Sequence, residues 1–276
     1  MGAGVLWEVT DNCIGCGSCA RDCARNCLKM EKGKPVFDDE LCNLCGHCFA
    51  VCPVSAIRIE GEDPSVYKEC MPEDRAVDTH RFREMIRNRR SIRSFNRRLL
   101  EPYKIKNILE AGRYAPTACN AQNNRFVLIA EKRKDFQQIL IRHLAGKGQE
   151  IIDRDEKDPV LLYRASLWLE MGKRIADDPE NLEPLFMGAQ AVLLIISNDL
   201  RDGSIAASYM QLMAEAEGIG TLMNGYISDA VNDCPAAREL LQMKEEEEAV
   251  ISILLGYPSV RYYRPAPRKS TNVVYL

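Results

Sequence analysis

Apolar positions follow one pattern up to about residue 60 and another beyond residue 79. In the first part, the shift that lays residue 28 on residue 57 superposes two short apolar segments, Leu28–Glu31 and Ile57–Glu60, which predict a duplicated unit. In the second part, apolar residues fall at helical spacing in some segments and in continuous runs in others. The predicted elements there are a helix capped by Thr79, a helix over about Pro102–Tyr114, a strand over Phe126–Ala130, helices over Lys134–Leu144 and Pro159–Ile175, and a buried strand over Ala191–Ser197.

The stretch between these two parts has glycine, proline and charged residues without apolar periodicity, which is typical of a linker. The chain is therefore predicted to contain an N-terminal domain over residues 1–61, a linker over 62–78 and a larger domain over 79–276.

Composition and charge exclude several classes of protein. The chain has 276 residues, of which 46% are hydrophobic, and this share can build a core. The net charge of −3 predicts neither a nucleic-acid partner nor a membrane surface. The longest apolar run, Ala191–Ile196, is too short to span a bilayer, and Met1–Thr10 has no signal-peptide pattern. The expected location is the cytoplasm.

Cysteines are the strongest chemical signal, because eight of the twelve form two runs with the same spacing, C-x2-C-x2-C-x3-C. The second run is followed by Pro53, as in bacterial iron–sulfur runs, whereas the first is followed by Ala24. Two alternatives are disfavoured: zinc sites use pairs of C-x2-C with a longer spacer, and a disulfide scaffold needs an oxidising compartment. The spacing predicts two [4Fe–4S] clusters bound by Cys13, Cys16, Cys19, Cys23, Cys42, Cys45, Cys48 and Cys52.

The segment from about residue 5 to 60 resembles the bacterial two-cluster ferredoxins, in which the fourth cysteine of each run binds the other cluster. Cys27 falls where the second half has Ala56 and is expected to be a small buried apolar residue. Oxygen-sensitive clusters suggest an anaerobic or microaerobic source. The resemblance implies two ligand sets, Cys13, Cys16, Cys19 and Cys52 for the first cluster and Cys42, Cys45, Cys48 and Cys23 for the second.

A basic segment and a polar loop carry the chemistry of the larger domain. Closely spaced guanidinium groups and a hydroxyl in Arg89–Arg93 suit a phosphate group. A solvated basic face and a nucleic-acid patch are the alternatives, and the acidic net charge and the lack of interleaved aromatic residues disfavour nucleic acid. In the loop after Pro116, Asn120 and Gln122 can each donate and accept hydrogen bonds, as reading the edge of a heterocycle requires.

The basic segment, the loop Pro116-Thr117-Ala118-Cys119-Asn120-Ala121-Gln122 and the following strand together resemble the nitroreductase family of FMN flavoproteins. Glu217–Tyr226 and Leu254–Pro258 are similar to its glycine-rich strand beside the flavin and to its last core strand. The resemblance covers roughly residues 80–276. It implies an α+β chain, with a two-cluster ferredoxin fold followed by a nitroreductase-like sandwich whose central, mostly antiparallel sheet is flanked by helices. It also implies a homodimer with FMN at the subunit interface.

The resemblance assigns the flavin contacts residue by residue. Asn224 and Gly225 would place a backbone N–H at flavin N5, and Arg268 would reach the phosphate. Asn123 and Asn124 depart from the family pattern, in which proline and an aromatic residue are usual. The contacts from one subunit would be Arg89, Arg90, Ser91 and Arg93, and those from its partner would be Pro116, Thr117, Ala118 and Asn120, with Gln122 beside them. The candidate substrate-pocket residues are Tyr163, Trp168, Met171 and Phe186, and ordinary helix packing is the favoured alternative for each of them.

The favoured hypothesis is an FMN-dependent oxidoreductase in which two [4Fe–4S] clusters relay single electrons to or from FMN. The flavin would reduce a small nitro compound, quinone or activated double bond by hydride transfer, with water as the proton source and no catalytic side chain. The electron donor would be a ferredoxin or NAD(P)H. One alternative is an NAD(P)H-driven flavoprotein that uses the clusters as an outlet. The other is an electron carrier or redox sensor for a protein partner.

Overall fold

The computed structural model describes residues 7–59, 67, 70, 71, 73 and 76–276. It divides the chain into two compact units, one of Met1–Val77 with Thr117–Ala121 and one of Asp78–Pro116 with Gln122–Leu276. Glu60 of the second repeated segment and residues 62–66, 68, 69, 72, 74 and 75 of the predicted linker lie outside the described residues.

The first unit contains two small antiparallel sheets and two short helices. Strand β1 (Trp7–Val9) pairs with β4 (Ile57–Ile59), and β2 (Leu28–Glu31) pairs with β3 (Lys34–Phe37). Helices α1 and α2 span Ser18–Arg21 and His47–Ala50. Leu28 and Ile57 are buried together with Cys19, Cys27 and Cys48 in a core of this unit.

The backbone of the first unit repeats itself, as the sequence predicts. The shift that lays Cys13 on Cys42 also lays α1 on α2 and the start of β2 on the start of β4. Each helix begins after a glycine in the left-handed region, Gly17 with φ 69° and Gly46 with φ 76°. A glycine adopts this conformation without steric cost, so the chain can turn sharply between successive cysteines.

The second unit is built on one antiparallel sheet of four strands. These are β5 (Arg125–Ile129), β6 (Ala191–Ser197), β7 (Gly220–Met223) and β8 (Glu248–Gly256). They lie in the order β5-β6-β8-β7, so β6 and β8 are central. The seven residues of β6 are all buried, because both faces of the sheet are covered by helices.

Side chains alternate across β6 and define two cores. Leu194 belongs to a core shared with Phe136 of the long helix α5, whereas Leu193 belongs to a core shared with Met210 of α8. The sheet is therefore the middle layer of a sandwich with helices on both faces, and the predicted α+β class is confirmed. The helices of this unit are α3 (Thr79–Asn88), α4 (Pro102–Arg113), α5 (Arg133–Asp153), α6 (Pro159–Asp177), α7 (Glu183–Phe186), α8 (Leu200–Ala216), α9 (Gly225–Asp233) and α10 (Pro235–Leu240).

The structure corrects three details of the predicted elements. Asp78, not Thr79, caps α3, and its carboxylate accepts the backbone N–H of Arg81 at 3.0 Å. Helix α5 runs to Asp153, well past the predicted end. Strand β5 begins and ends one residue earlier than predicted. Within the described part of the chain, no helix is both long enough and apolar enough to cross a membrane.

Candidate functional site

A small cavity in the first unit is lined by cysteines from both runs. Cys13, Cys16 and Cys19 come from the first run and Cys52 comes from the end of the second. The backbone N–H of Ala56 donates a hydrogen bond to the Cys52 sulfur at 3.2 Å. These four are the set that the resemblance assigns to the first cluster.

A second small cavity has the complementary set of cysteines. Cys42, Cys45 and Cys48 come from the second run and Cys23 comes from the end of the first. Among the residues that the structure describes, no three His, Cys, Asp or Glu side chains converge closely enough to hold a single metal ion. Four thiols spread around a cavity instead fit a cubane, which binds one thiolate at each iron corner.

The loops around the two cavities depend on particular backbone shapes. Gly15 has φ 67°, and a Cβ added to it would lie only 2.7 Å from the Gly33 carbonyl oxygen. Leu44, at the equivalent place in the second half, takes a similar conformation with φ 56°, and its N–H donates to the Cys42 sulfur at 3.4 Å. Both runs therefore curl in the same way around their cavities.

Cys27 was expected to be a buried apolar residue, and it is buried, but it also lines the second cavity. Its sulfur lies 3.3 Å from the Cys23 sulfur. Burial raises the pKa of the Cys27 thiol to about 12. The cysteine spacing does not reveal this contact, since it arises from the packing of β2 beneath the cavity.

In the second unit, the predicted phosphate-binding segment lies along β7. Ile92 donates its N–H to the Thr221 carbonyl at 2.9 Å, and Ser91 forms a parallel bridge with the same residue. A Cβ added to Gly220 would lie 2.7 Å from Ile92 Cγ1, and one added to Gly256 would lie 2.7 Å from the Phe95 ring. The glycines of β7 and β8 thus make room for this segment.

Arg89 has the property expected of an anion-binding residue. The guanidinium is half-buried, and its Nη1 is fully buried with no hydrogen-bond partner among the described residues. Burial raises the pKa of the Glu215 carboxyl, and the positive charge of Arg89 partly opposes this shift. A buried donor without a hydrogen-bond partner among the described residues fits a bound anionic group such as a phosphate or a flavin edge. The sequence did not single out Glu215.

The other basic residues of the segment differ in their surroundings. Arg90 places its guanidinium 5.1 Å from the centre of the Tyr262 ring, a cation–π contact with the C-terminal tail that the sequence did not indicate. Arg93 is exposed. Arg268 is also exposed, and its Nη1 donates to the Pro267 carbonyl at 3.3 Å. Its predicted contact with the phosphate stays a prediction.

Asn224 and Gly225 follow β7 directly, at the start of α9. Asn224 is held by two bonds to Ser252 of β8: its N–H donates to the Ser252 carbonyl at 3.0 Å, and its carbonyl accepts from the Ser252 hydroxyl. Gly225 is exposed, and no heavy atom lies within 4 Å of where a Cβ would stand. The backbone is therefore held by β8 at Asn224 and is open at Gly225, as a planar ring lying against it requires.

The predicted flavin loop is divided between the two units. Pro116 and Gln122 belong to the second unit, whereas Thr117, Ala118 and Asn120 belong to the first. Within the first unit, the Asn120 amide donates to the carbonyls of Asn43 at 3.1 Å and Leu44 at 3.0 Å. In return the Asn43 amide donates to the Cys119 carbonyl at 3.2 Å. The loop is thus hydrogen-bonded to the chain between Cys42 and Cys45.

The residues that depart from the family pattern have structural partners. Asn123 donates to the Asn198 side chain, and the Asn124 amide donates to the Asp202 carbonyl at 3.3 Å. These bonds tie the end of the loop to the start of α8.

The candidate pocket residues differ in burial. Phe186 is fully buried in the core, with its ring centre 6.3 Å from that of Phe136, as ordinary packing predicts. Trp168 and Met171 pack against the same core, and Tyr163 is exposed.

Known protein families match two separate parts of the chain. The nitroreductase family model matches residues 86–257, and a 4Fe–4S dicluster domain matches residues 12–56. The chain is 29% identical over 180 residues to "FMN reductase (NADPH)" of Bacillus subtilis (strain 168), which covers 64% of this chain and 65% of that protein. The chain therefore spans less than two thirds of that relative.

Two further relatives cover the units separately. "Ferredoxin 7Fe" of Hydrogenibacillus schlegelii is 36% identical over 73 residues, which are 26% of this chain and 94% of that protein. A nitroreductase of Bacteroides fragilis NCTC 9343, solved with bound FMN, superposes with a TM-score of 0.55 at 18% identity, covering 70% of this chain and 98% of that one. The chain belongs to the nitroreductase family and carries a 4Fe–4S dicluster domain ahead of its nitroreductase domain.

Proposed function

We propose that the protein is an FMN-dependent oxidoreductase in which two [4Fe–4S] clusters relay single electrons to or from FMN. The observation that carries this proposal is the presence of two four-cysteine cavities in the same chain as a nitroreductase-family domain. When bound, each cluster would exchange one electron at a time, and the flavin would pass two electrons as a hydride to a small nitro compound, quinone or activated double bond.

The residues of the chain would hold these groups in separate places. The two crossed sets of cysteines would bind the clusters. Arg89 would use its unpaired buried Nη1 to bind an anionic part of FMN, and the open backbone at Gly225 would lie against the ring. Arg90, Ser91, Arg93 and Arg268 would complete the flavin contacts from the same chain.

One loop of the first unit belongs to both parts of the proposal. The loop that carries Thr117, Ala118 and Asn120 is expected to touch the flavin, and its Asn120 is hydrogen-bonded to the carbonyls of Asn43 and Leu44, between Cys42 and Cys45.

Removal of the second cluster tests the relay. Anaerobically purified protein should contain about eight irons per chain, and the Cys42→Ser/Cys45→Ser variant about four. In a stopped-flow experiment with a reduced ferredoxin, the variant should lose fast reduction of the flavin while still binding FMN. Flavin reduction at the wild-type rate would contradict the relay.

A homodimer with FMN between the subunits is part of the proposal. An Arg89→Met variant and an Asn120→Ala variant should each bind FMN poorly as a pure dimer. If the two residues serve one flavin from opposite subunits, a mixed dimer has one site with both changes and one intact site. Mixing the variants under conditions of subunit exchange should then restore FMN binding, and no recovery would contradict a shared site.

A second candidate is a flavoenzyme that takes hydride from NADPH and uses the clusters as an outlet. It is favoured by the similarity to the relative named "FMN reductase (NADPH)". Reduction of the flavin by NADPH in the variant without the second cluster, as fast as in the wild type, would support it.

A further inference from the structure

The two cysteine cavities differ at one equivalent position. Cys27 and Ala56 fall on each other under the internal repeat, both are buried, and each lines its own cavity. The second cavity therefore contains a thiol in addition to the four cysteines of its ligand set, and the first has a methyl group in its place.

The geometry decides what this extra thiol can do. The Cys27 sulfur lies 3.3 Å from the Cys23 sulfur, within the range of a hydrogen bond between sulfur atoms. A cubane corner takes one thiolate, so only one of the two can bind that iron. Cys23 belongs to the C-x2-C-x2-C-x3-C run and Cys27 does not. As a metal-bound thiolate, Cys23 can only accept a hydrogen bond, and Cys27 must therefore be the donor.

A donor at this place affects the energy of the electron on the cluster. Reduction adds one negative charge, which spreads onto the ligand sulfurs, and a hydrogen bond to a charged acceptor becomes stronger as that charge grows. Hydrogen bonds to the sulfurs are among the factors that set cluster potentials. In the first cavity, the Ala56 side chain has no hydrogen to donate to Cys52.

We infer that Cys27 is a positioning residue that hydrogen-bonds the Cys23 ligand and raises the reduction potential of the second cluster alone. The inference rests on the proposed binding of a cluster in each cavity. This hydrogen bond by itself would shift the distribution of a shared electron towards the second cluster.

The internal repeat supplies a reciprocal pair of variants. Cys27→Ala gives the second cavity the alanine of the first, and Ala56→Cys gives the first cavity the cysteine of the second. Each would be purified anaerobically, assayed for iron, and titrated potentiometrically while both clusters are followed by electron paramagnetic resonance. Cys27→Ala should keep the wild-type iron content, lower one midpoint potential and leave the other in place.

The expected shift is about tenfold in the one-electron equilibrium of that cluster, which corresponds to 59 mV. Ala56→Cys should raise the midpoint that Cys27→Ala leaves unchanged. Cys27→Ser keeps a donor and should recover part of the lost shift, which a role in packing alone would not explain.

Two results would overturn the inference. Unchanged midpoints in Cys27→Ala with full iron content would show that the thiol does not act on the cluster. Loss of about half the iron would make Cys27 a ligand or an essential part of the cavity. Because iron content is measured separately, failure of the wild type to bind two clusters would refute the proposed function instead.

Discussion

Replacement of Arg89 by methionine tests the flavin site most sharply. Methionine replaces the apolar stem of the side chain but removes every hydrogen-bond donor. In the structure, Nη1 of Arg89 is buried and has no hydrogen-bond partner among the described residues, so binding of an anion would satisfy it without breaking another bond. A hydrogen bond to a charged group contributes about 1.5–3 kcal/mol. Since every 1.4 kcal/mol is a factor of ten, the affinity for FMN should fall about ten- to hundredfold.

The control concerns Glu215, whose half-buried carboxyl loses its nearby positive charge in Arg89→Met. Destabilisation of the second unit would then lower the affinity for FMN by an indirect route. The double variant Arg89→Met/Glu215→Gln removes both charges and should recover stability. FMN binding should stay weak in the double variant, because the missing donor is the cause.

The assay is titration of the flavin-free protein with FMN, followed by the loss of flavin fluorescence, with iron content as the internal standard. Arg89 and Glu215 lie in the second unit and the cluster cysteines in the first, so iron should be unchanged in both variants. Wild-type affinity for FMN in the double variant would refute the assignment of Arg89. Parallel loss of iron and FMN would contradict independent binding of the two cofactors.

Three further predictions concern stability, each measured as a free energy of unfolding from urea titration. Phe186→Ala empties a fully buried site and should cost about 3–5 kcal/mol, and Asp78→Ala removes the cap of α3 and should cost about 1 kcal/mol. Hydrogen bonds from Tyr257 and Arg98 lower the pKa of Glu101 from 4.5 to about 2. The stability advantage of wild type over Tyr257→Phe should therefore be constant above pH 4.5 and shrink as the pH falls through about 2.

A specific result would refute each of these three predictions. A cost below about 1 kcal/mol for Phe186→Ala would mean that the ring is not in the core. No loss of stability in Asp78→Ala would mean that the Asp78 carboxylate does not stabilise α3 as a cap. An advantage of wild type over Tyr257→Phe that grows as the pH falls would reverse the sign of the Glu101 linkage.

Local patterns in the sequence predicted the parts of this protein that depend on local chemistry. Ligand spacing places three thiols around one curl of the chain, whereas the crossing partners, Cys23 and Cys52, come from the resemblance to two-cluster ferredoxins. Strand β6 was predicted without error because the apolar run Ala191–Ile196 has no polar break. In both cases the residues that decide the structure are close neighbours in the chain.

Features that depend on packing between distant segments were not predictable. Helix α5 continues beyond its predicted end because Gly148 allows close approach to α6. A Cβ added to Gly148 would lie 2.9 Å from the Ala165 carbonyl oxygen. The proximity of Cys27 to Cys23 and the bonds between Asn120 and the Asn43–Leu44 segment also join residues whose spacing carries no signal. The sequence left both a pocket and the core open for Phe186, because an aromatic residue in a variable segment is compatible with either place.

The claim that electrons reach FMN through the clusters is tested most directly by an anaerobic reductive titration of the complete protein. One titration would use a reduced ferredoxin and the other NADPH, with flavin and cluster absorbance followed together. We predict that reduced ferredoxin bleaches the clusters and the flavin, and that NADPH alone bleaches the flavin slowly. Rapid bleaching of the flavin by NADPH, with no flavin reduction by the ferredoxin, would contradict the claim and make the clusters an electron outlet.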